Sequence, residues 1–208
     1  MNELSGCQLC PRLAAHRETV KLQYPAYHCA PVAAFGATSA RLLIVGLAPG
    51  LHGANASGRP FTGDASGDLL FATLHDHGFA SQAQSRSNAD DMQLIDCRIT
   101  NAVKCLPPQN QPRSSETNTC NPYLQDEISD LPPGGVLLTL GGLAHRAVTR
   151  ALGLRNADYP FARAAVYDLD ARRSLFSSYH PSRYNLNTGR ISAASFGAVF
   201  GRIRELLG

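Results

Sequence analysis

The sequence predicts an α/β protein: a three-layer α/β/α sandwich with a central, mostly parallel four-stranded sheet. Three observations carry that expectation. Short, continuous apolar runs recur, Leu42-Leu43-Ile44-Val45 first among them, as strands covered on both faces require. Turns or loops and helical patterns separate the runs, and strands alternating with helices favour parallel pairing through crossovers. Finally, the 208 residues, 44% apolar and 17% charged, suit one domain spanning 1–208 with a substantial core. No apolar run is long enough for a bilayer and no leader pattern opens the chain, so a soluble cytoplasmic protein is expected. The net charge of +3 is compatible with nucleic acid but too mild to argue for it.

In chain order, residues 1–40 read as irregular, including Cys7-Gln-Leu-Cys10-Pro11. The first strand, Leu42 to Val45, breaks into Gly46-Leu47-Ala48-Pro49-Gly50 and passes through Gly53, Gly58, Pro60 and Gly63, a density that prescribes a tight backbone path. Asp64 or Ser66 can cap the helix that follows. That loop holds neither GxGxxG nor GxxxxGK[ST], so neither a dinucleotide fold nor a P-loop is supported. Met92 to Val103 reads as a second strand. Lys104 to Cys120, with Pro107, Pro108 and Pro112, excludes regular structure, and Pro122 to Leu131 follows as a helix with Pro122 in its first turn. Gly135 to Leu140 is a third strand and leads through Gly141-Gly142 into a helix over 143–152. Ser174 to Tyr179 is a fourth, ending at His180-Pro181, and a final helix covers 189–208.

In such a sheet the carboxyl ends of the strands share one edge, where ligands bind. The glycine-rich loop, Asn101 and His180 therefore converge on one crevice. His180 there either caps a turn or polarises a substrate; Asn101 either closes an Asx turn or donates to a developing anion. Asp64 reads first as a helix cap and second as a water activator, and Phe61 as core or as a stacking platform. Cys7, Cys10, Cys105 and Cys120 are better explained by a shared metal than by chance, and zinc and iron–sulfur clusters suit their spacing equally. Cys97 reads as a small buried hydrophobe. His75 and His77 face different ways on a helix and do not pair on a metal.

Taken together, Cys7xxCys10, PVAAFG, GLAPGLHGANASGRPFTGDASGD, TNAVKCLPP, Cys120 and SYHPSRYNLNTGR resemble the uracil-DNA glycosylase superfamily, in its iron–sulfur branch, type B or family 5. The resemblance covers most of the chain. Where family 4 has an acidic residue in a GEAPG motif, this chain has Leu47, a difference shared with family 5. The resemblance implies a [4Fe–4S] cluster on Cys7, Cys10, Cys105 and Cys120. It implies a base pocket formed by Gly46, Leu47, Ala48, Pro49, Gly50 and His52, with Phe61 stacking on an everted base. Asn101 would read the base edge or assist water, His180 would stabilise the departing uracil, and Asp64 is the nearest carboxylate to the chemistry. Arg183 and Tyr184 would wedge into the duplex or meet phosphate, and Arg59, Ser182, Asn185 and Asn187 would contact phosphate. The implied activity is monofunctional excision of uracil and other deaminated bases from DNA by a monomer, without strand cleavage, since no lysine stands in the site. A non-catalytic lesion-binding iron–sulfur DNA protein is the alternative. A small zinc-dependent nucleotide hydrolase is the third reading.

Overall fold

A computed structural model describes residues 4–170 and 173–208; residues 1–3, part of the expected irregular N-terminus, lie outside the described residues. Five strands form one sheet: β1 (Leu42–Gly46), β2 (Cys97–Asn101), β3 (Gly135–Leu140), β4 (Val166–Asp170) and β5 (Arg173–Ser178), in the order β2-β1-β3-β5-β4. Pairing is parallel throughout except between β4 and β5. The expected four strands are thus joined by a fifth at the antiparallel edge. Short and carrying two aspartates, β4 lacks the apolar run of a central strand.

Among the described residues the α-helices are α1 (Pro11–Gln23), α2 (Ala54–Ser57), α3 (Ala65–Asp76), α4 (Ser114–Ser129), α5 (Gly142–Ala151), α6 (Arg183–Asn187) and α7 (Ala193–Leu207). Alternate residues of the strands serve opposite faces. Leu42, Ile44, Ile99, Leu138 and Phe176 pack with Leu70, Phe71 and Leu74 of α3 and Phe196, Val199, Phe200 and Ile203 of α7. On the other face Leu43, Val45, Leu137 and Leu175 meet Leu124 and Ile128 of α4 and Ala147 and Val148 of α5. The three layers are therefore present. No helix of the described residues is long and apolar enough to cross a membrane.

Several sequence expectations need correction. Residues 1–40 are not irregular throughout, because α1 buries Leu13, Ala14 and Val20. The stretch 104–120 is not loop to its end: α4 starts at Ser114, where the Arg113 N–H donates to Glu116 Oε2 at 2.7 Å, so Cys120 is helical and Pro122 lies in the helix interior. Pro122 is exposed there, so water can satisfy the carbonyl its ring leaves unpaired. The strand expected over 92–103 shortens to Cys97–Asn101, and the expected 189–208 helix starts at Ala193, where Ser192 Oγ accepts from the Ser195 N–H at 3.1 Å.

Two buried polar groups brace the layers. Lys104, 0% exposed, donates to Thr100 Oγ1 at 2.6 Å and to both carboxylate oxygens of Glu127 at 2.8 and 2.6 Å. Removing one partner of such a pair typically costs about 3–5 kcal/mol, since it strands a buried charge. His145 of α5 contacts Ser177 Oγ through Nδ1 at 2.8 Å and the Tyr159 carbonyl through Nε2 at 2.8 Å. Burial holds its pKa below the ordinary imidazole value. The folded state thus refuses a proton that the unfolded chain accepts near pH 6.5 or below. Stability from this group is complete above that pH and is lost as pH falls. Unfolding free energy measured by denaturant titration should decline below about pH 6.5, and His145→Gln should flatten that decline. An unchanged slope in the variant would remove His145 as its source.

Candidate active site

The carboxyl ends of β1, β2, β3 and β5 border a cavity of about 450 Å³, a size usual for small-molecule sites. Its lining includes Leu47, Ala48 and Gly50 after β1, Phe61 and Asp64 before α3, Asn101 at the end of β2, and Leu140 to Ala144 after β3. His180 and Ser182 after β5 close it. The crevice expected from strand topology therefore brings together Asn101, Phe61, Asp64 and His180.

Close packing positions these groups. Gly46 pairs in register with Asn101, and a methyl group at Gly46 would fall 2.5 Å from Asn101 Oδ1 and 2.8 Å from the Phe61 ring. Phe61 takes a left-handed backbone (φ 56°), unusual for an aromatic residue, and a side chain at Gly67 would collide with its carbonyl at 1.7 Å. The Phe61 ring, 6% exposed, stacks on the His180 imidazole with centroids 5.5 Å apart. Phe61 is thus both core and platform.

Asn101 is 2% exposed, yet among the described residues its carboxamide has no hydrogen-bond partner. Its amide opens onto the cavity, where water or a polar ligand can pair with it. The His180 imidazole is half-buried, and burial lowers its pKa while the Asp64 carboxylate partly opposes the shift. At neutral pH it is therefore a neutral donor or acceptor. Asp64 serves two purposes: Oδ1 caps α3 by accepting from the Ser66 and Gly67 N–H groups at 2.9 and 3.0 Å, while Oδ2 faces Gly53, where a methyl would approach to 2.2 Å.

Other expected residues lie elsewhere. His52 does not line the cavity; its exposed ring contacts the Tyr27 hydroxyl at 2.9 Å beside the stacked Tyr24–Tyr27 pair. Gly46 lies beneath the cavity wall, and Pro49 is outside the lining. Arg59 is not at a phosphate-facing surface: it is 7% exposed, paired with Asp90, donates to Ser85 Oγ at 3.1 Å and the Asn88 carbonyl at 3.0 Å, and covers the Phe35 ring. Although burial works against its charge, the guanidinium and three backbone N–H groups hold Asp90 at a pKa of about 2. Asn185 is also buried, with Nδ2 donating to the His180 carbonyl at 2.8 Å, which makes it a brace for the histidine loop. Arg183, Tyr184 and Asn187 are exposed on α6, and Arg190 covers the Tyr184 ring at 5.3 Å. Sequence reasoning missed Asn110 and Leu143, although Gly141-Gly142 after β3 marked the same sheet edge.

The profile of the Uracil DNA glycosylase superfamily matches residues 33–204. The chain belongs to the uracil-DNA glycosylase superfamily. It is 42% identical to the Type-5 uracil-DNA glycosylase of Thermus thermophilus over 99% of this chain and 95% of that protein. It is 39% identical to the Type-5 protein of Pyrobaculum aerophilum over 97% and 89%. The Type-4 protein of Sulfurisphaera tokodaii is more distant, at 30% over 82% and 72%. Within the superfamily the chain therefore groups with the type-5 branch.

This superfamily member carries a second recess, walled by Cys7, Cys10, Cys105 and Cys120 together with Leu13 and Val103. Arg17 Nη1 donates to Cys105 Sγ at 3.0 Å, and the Lys104 N–H to Cys120 Sγ at 3.3 Å. Burial raises Cys10 and Cys105 to pKa values of about 11, so without a metal they stay thiols. The Tyr123 hydroxyl, on the same wall, is buried with no well-formed hydrogen bond. Sulfur-directed donors and an unmatched hydroxyl fit a sulfur-rich group. Among the described residues no group of three or more His, Cys, Asp or Glu is arranged to hold a single metal ion.

Gly46→Ala tests the packing at the cavity wall. Overpacking should lower stability by about 1–3 kcal/mol in denaturant titration and shift the Phe61 and Asn101 side-chain resonances. Unshifted resonances would show that these side chains do not depend on Gly46.

Proposed function

We propose that the chain is a monofunctional uracil-DNA glycosylase, acting as a monomer in the cytoplasm on DNA that contains uracil or other deaminated bases. The observation that carries this reading is an unpartnered buried carboxamide, Asn101, sharing a cavity with a neutral imidazole stacked on Phe61. An everted base would slide over the Phe61 ring, and Asn101 would pair with its polar edge. The C1′–N1 bond then breaks with its electron pair leaving on the base. His180, neutral, donates to the oxygen where that charge gathers, help worth roughly 3–4 kcal/mol from one well-placed donor. Water adds at C1′ and loses its proton towards Asp64 Oδ2, leaving free uracil and an abasic site. No lysine of the described residues lines the cavity, and Lys104 is bound to Glu127, which supports hydrolysis without a Schiff base.

Cys7, Cys10, Cys105 and Cys120 would hold a [4Fe–4S] cluster, which when bound supplies a covalent tie among the N-terminal segment, the β2 exit and α4. Arg17 and the Lys104 backbone N–H, which donate to Cys105 and Cys120 Sγ, would supply hydrogen bonds to its thiolates. The protein as isolated anaerobically should carry iron and acid-labile sulfide in equal amounts, with a broad visible absorption. Stoichiometric zinc in place of iron would overturn the cluster assignment.

Single-turnover excision on a uracil duplex, read by alkaline cleavage, tests the chemistry. His180→Ala and Asn101→Ala should each slow it at least about tenfold. Asp64→Asn, which keeps a capping oxygen, should slow it without lowering the melting temperature. Wild-type rates in folded, iron-loaded variants would refute these roles, and binding without cleavage by the unaltered protein would leave only a lesion binder.

A further inference from the structure

Two of the four sulfurs in the cysteine recess receive a well-formed hydrogen bond and two do not. Cys105 Sγ accepts from the Arg17 guanidinium at 3.0 Å, and Cys120 Sγ from the Lys104 N–H at 3.3 Å. Among the described residues no N–H or O–H is so placed on Cys7 or Cys10. A metal-bound thiolate without a donor keeps its full charge in a largely desolvated wall.

The same recess holds a donor that lacks an acceptor. Tyr123 follows Cys120 by three residues in α4, a spacing that sets both on one helix face, and both line the recess. The ring is half-buried, yet the hydroxyl oxygen is sealed from solvent and makes no well-formed hydrogen bond among the described residues. Of the sulfurs around it, Cys7 acts on this hydroxyl most strongly, ahead of Cys120 and Cys105. A tyrosine hydroxyl taken out of water normally finds a partner. A thiol sulfur is a weak acceptor, whereas a thiolate is a strong, charge-assisted one. The pairing therefore improves when the sulfur loses its proton to a metal.

We propose that Tyr123 completes the donor set of the cysteine centre: its hydroxyl donates to the Cys7 thiolate when that sulfur binds iron, which makes Tyr123 the positioning residue for the N-terminal ligand. This rests on the cluster reading given above. Cys7 needs such a tie, because it precedes α1 on a short segment held by its own N–H on the Leu4 carbonyl at 3.1 Å and by Arg17 Nη2 on its carbonyl at 3.0 Å. A bond from α4 joins that segment to the helix that carries Cys120. It also draws charge from the sulfur, and hydrogen bonds to cluster sulfurs raise the reduction potential.

Tyr123→Phe keeps the ring and deletes only the hydroxyl. Resonance Raman spectroscopy of the iron-loaded protein reads the contact directly. The iron–cysteine stretching bands should shift between protein loaded in D₂O and in H₂O, and the shift should shrink in Tyr123→Phe, where the Arg17 and Lys104 N–H groups alone remain. Loss of visible absorbance to excess chelator should be about tenfold faster in the variant, the worth of one hydrogen bond to a charged group. Its midpoint potential by voltammetry should be lower. Site-specific 3-fluorotyrosine at Tyr123, a stronger donor on the same ring, should slow iron loss below the wild-type rate. An isotope shift of wild-type size in Tyr123→Phe, or iron loss at the wild-type rate, would overturn the contact. If the isolated protein carries zinc instead of iron, the cluster reading fails alone, and release of that zinc to a chelator from the same two proteins still decides whether Tyr123 holds Cys7.

Discussion

The site depends on how closely the loop after β1 can pass over the exit of β2. Two glycines set that distance: Gly46, against Asn101 and the Phe61 ring, and Gly67, against the Phe61 carbonyl. With both lacking a side chain, Phe61 folds back in a left-handed conformation, and its ring becomes the surface on which His180 rests. Backbone pairing continues the same junction, the Ala102 and Val103 N–H groups donating to the Gly46 and Leu47 carbonyls at 2.9 Å. Pocket geometry of this kind is inherited from packing, because interiors at crystal density leave a ring few alternative places.

The cysteine recess grows from the same strand. Three residues separate Asn101 from Cys105, and among them Lys104 turns away to Glu127 while its N–H serves Cys120. Arg17 approaches from α1 and joins Cys105 Sγ to the Cys7 carbonyl. The Arg17 guanidinium and a backbone N–H thus stand among sulfurs, three of which, Cys10, Cys105 and Cys120, burial would keep protonated. A thiolate-bound cluster is anionic, and cations placed in advance reduce the cost of holding that charge out of water. Under the cluster reading proposed above, the N-terminal helix would supply a counter-charge as well as a scaffold.

Arg17 also explains why α1 was illegible in the sequence. The buried face of that helix runs Leu13, Ala14, Arg17, Val20, so an arginine interrupts the apolar stripe that identifies a helix, for a reason visible only once Cys105 is beside it. The strands β1 and β3 were legible because their apolar runs are covered on both faces, whereas β4 at the edge carries aspartates. Pro122 read as a helix start because its cost inside a helix is usually prohibitive, and only its exposure shows how that cost is met. In the site, Asn101, Phe61, Asp64 and His180 were legible because strand ends and capping signals located them. Arg59 was misplaced because an arginine looks solvent-facing until Asp90 and Phe35 enclose it.

How such a pocket selects its base follows from what its wall lacks. Leu47, Ala48, Ala54 and Leu140 are apolar, and the polar side chains in the lining are Asp64, Ser66, Asn101, Asn110, His180 and Ser182. Strong rejection of a wrong ligand requires buried donors or acceptors that the wrong ligand leaves unpaired; apolar walls discriminate by only about 1–3 kcal/mol. Under the glycosylase reading, Asn101 and His180, the two polar side chains assigned to the base, give limited means to refuse a different deaminated base. Selection then falls on the steps before and after the fit: the energy needed to unstack the base, least for a mismatched one, and the stability of the base as a departing anion. Deaminated bases satisfy both conditions, since they mispair and carry carbonyl oxygens that take up charge. The neutral imidazole at His180 rewards the second condition directly, which makes an apolar wall compatible with a specific repair function.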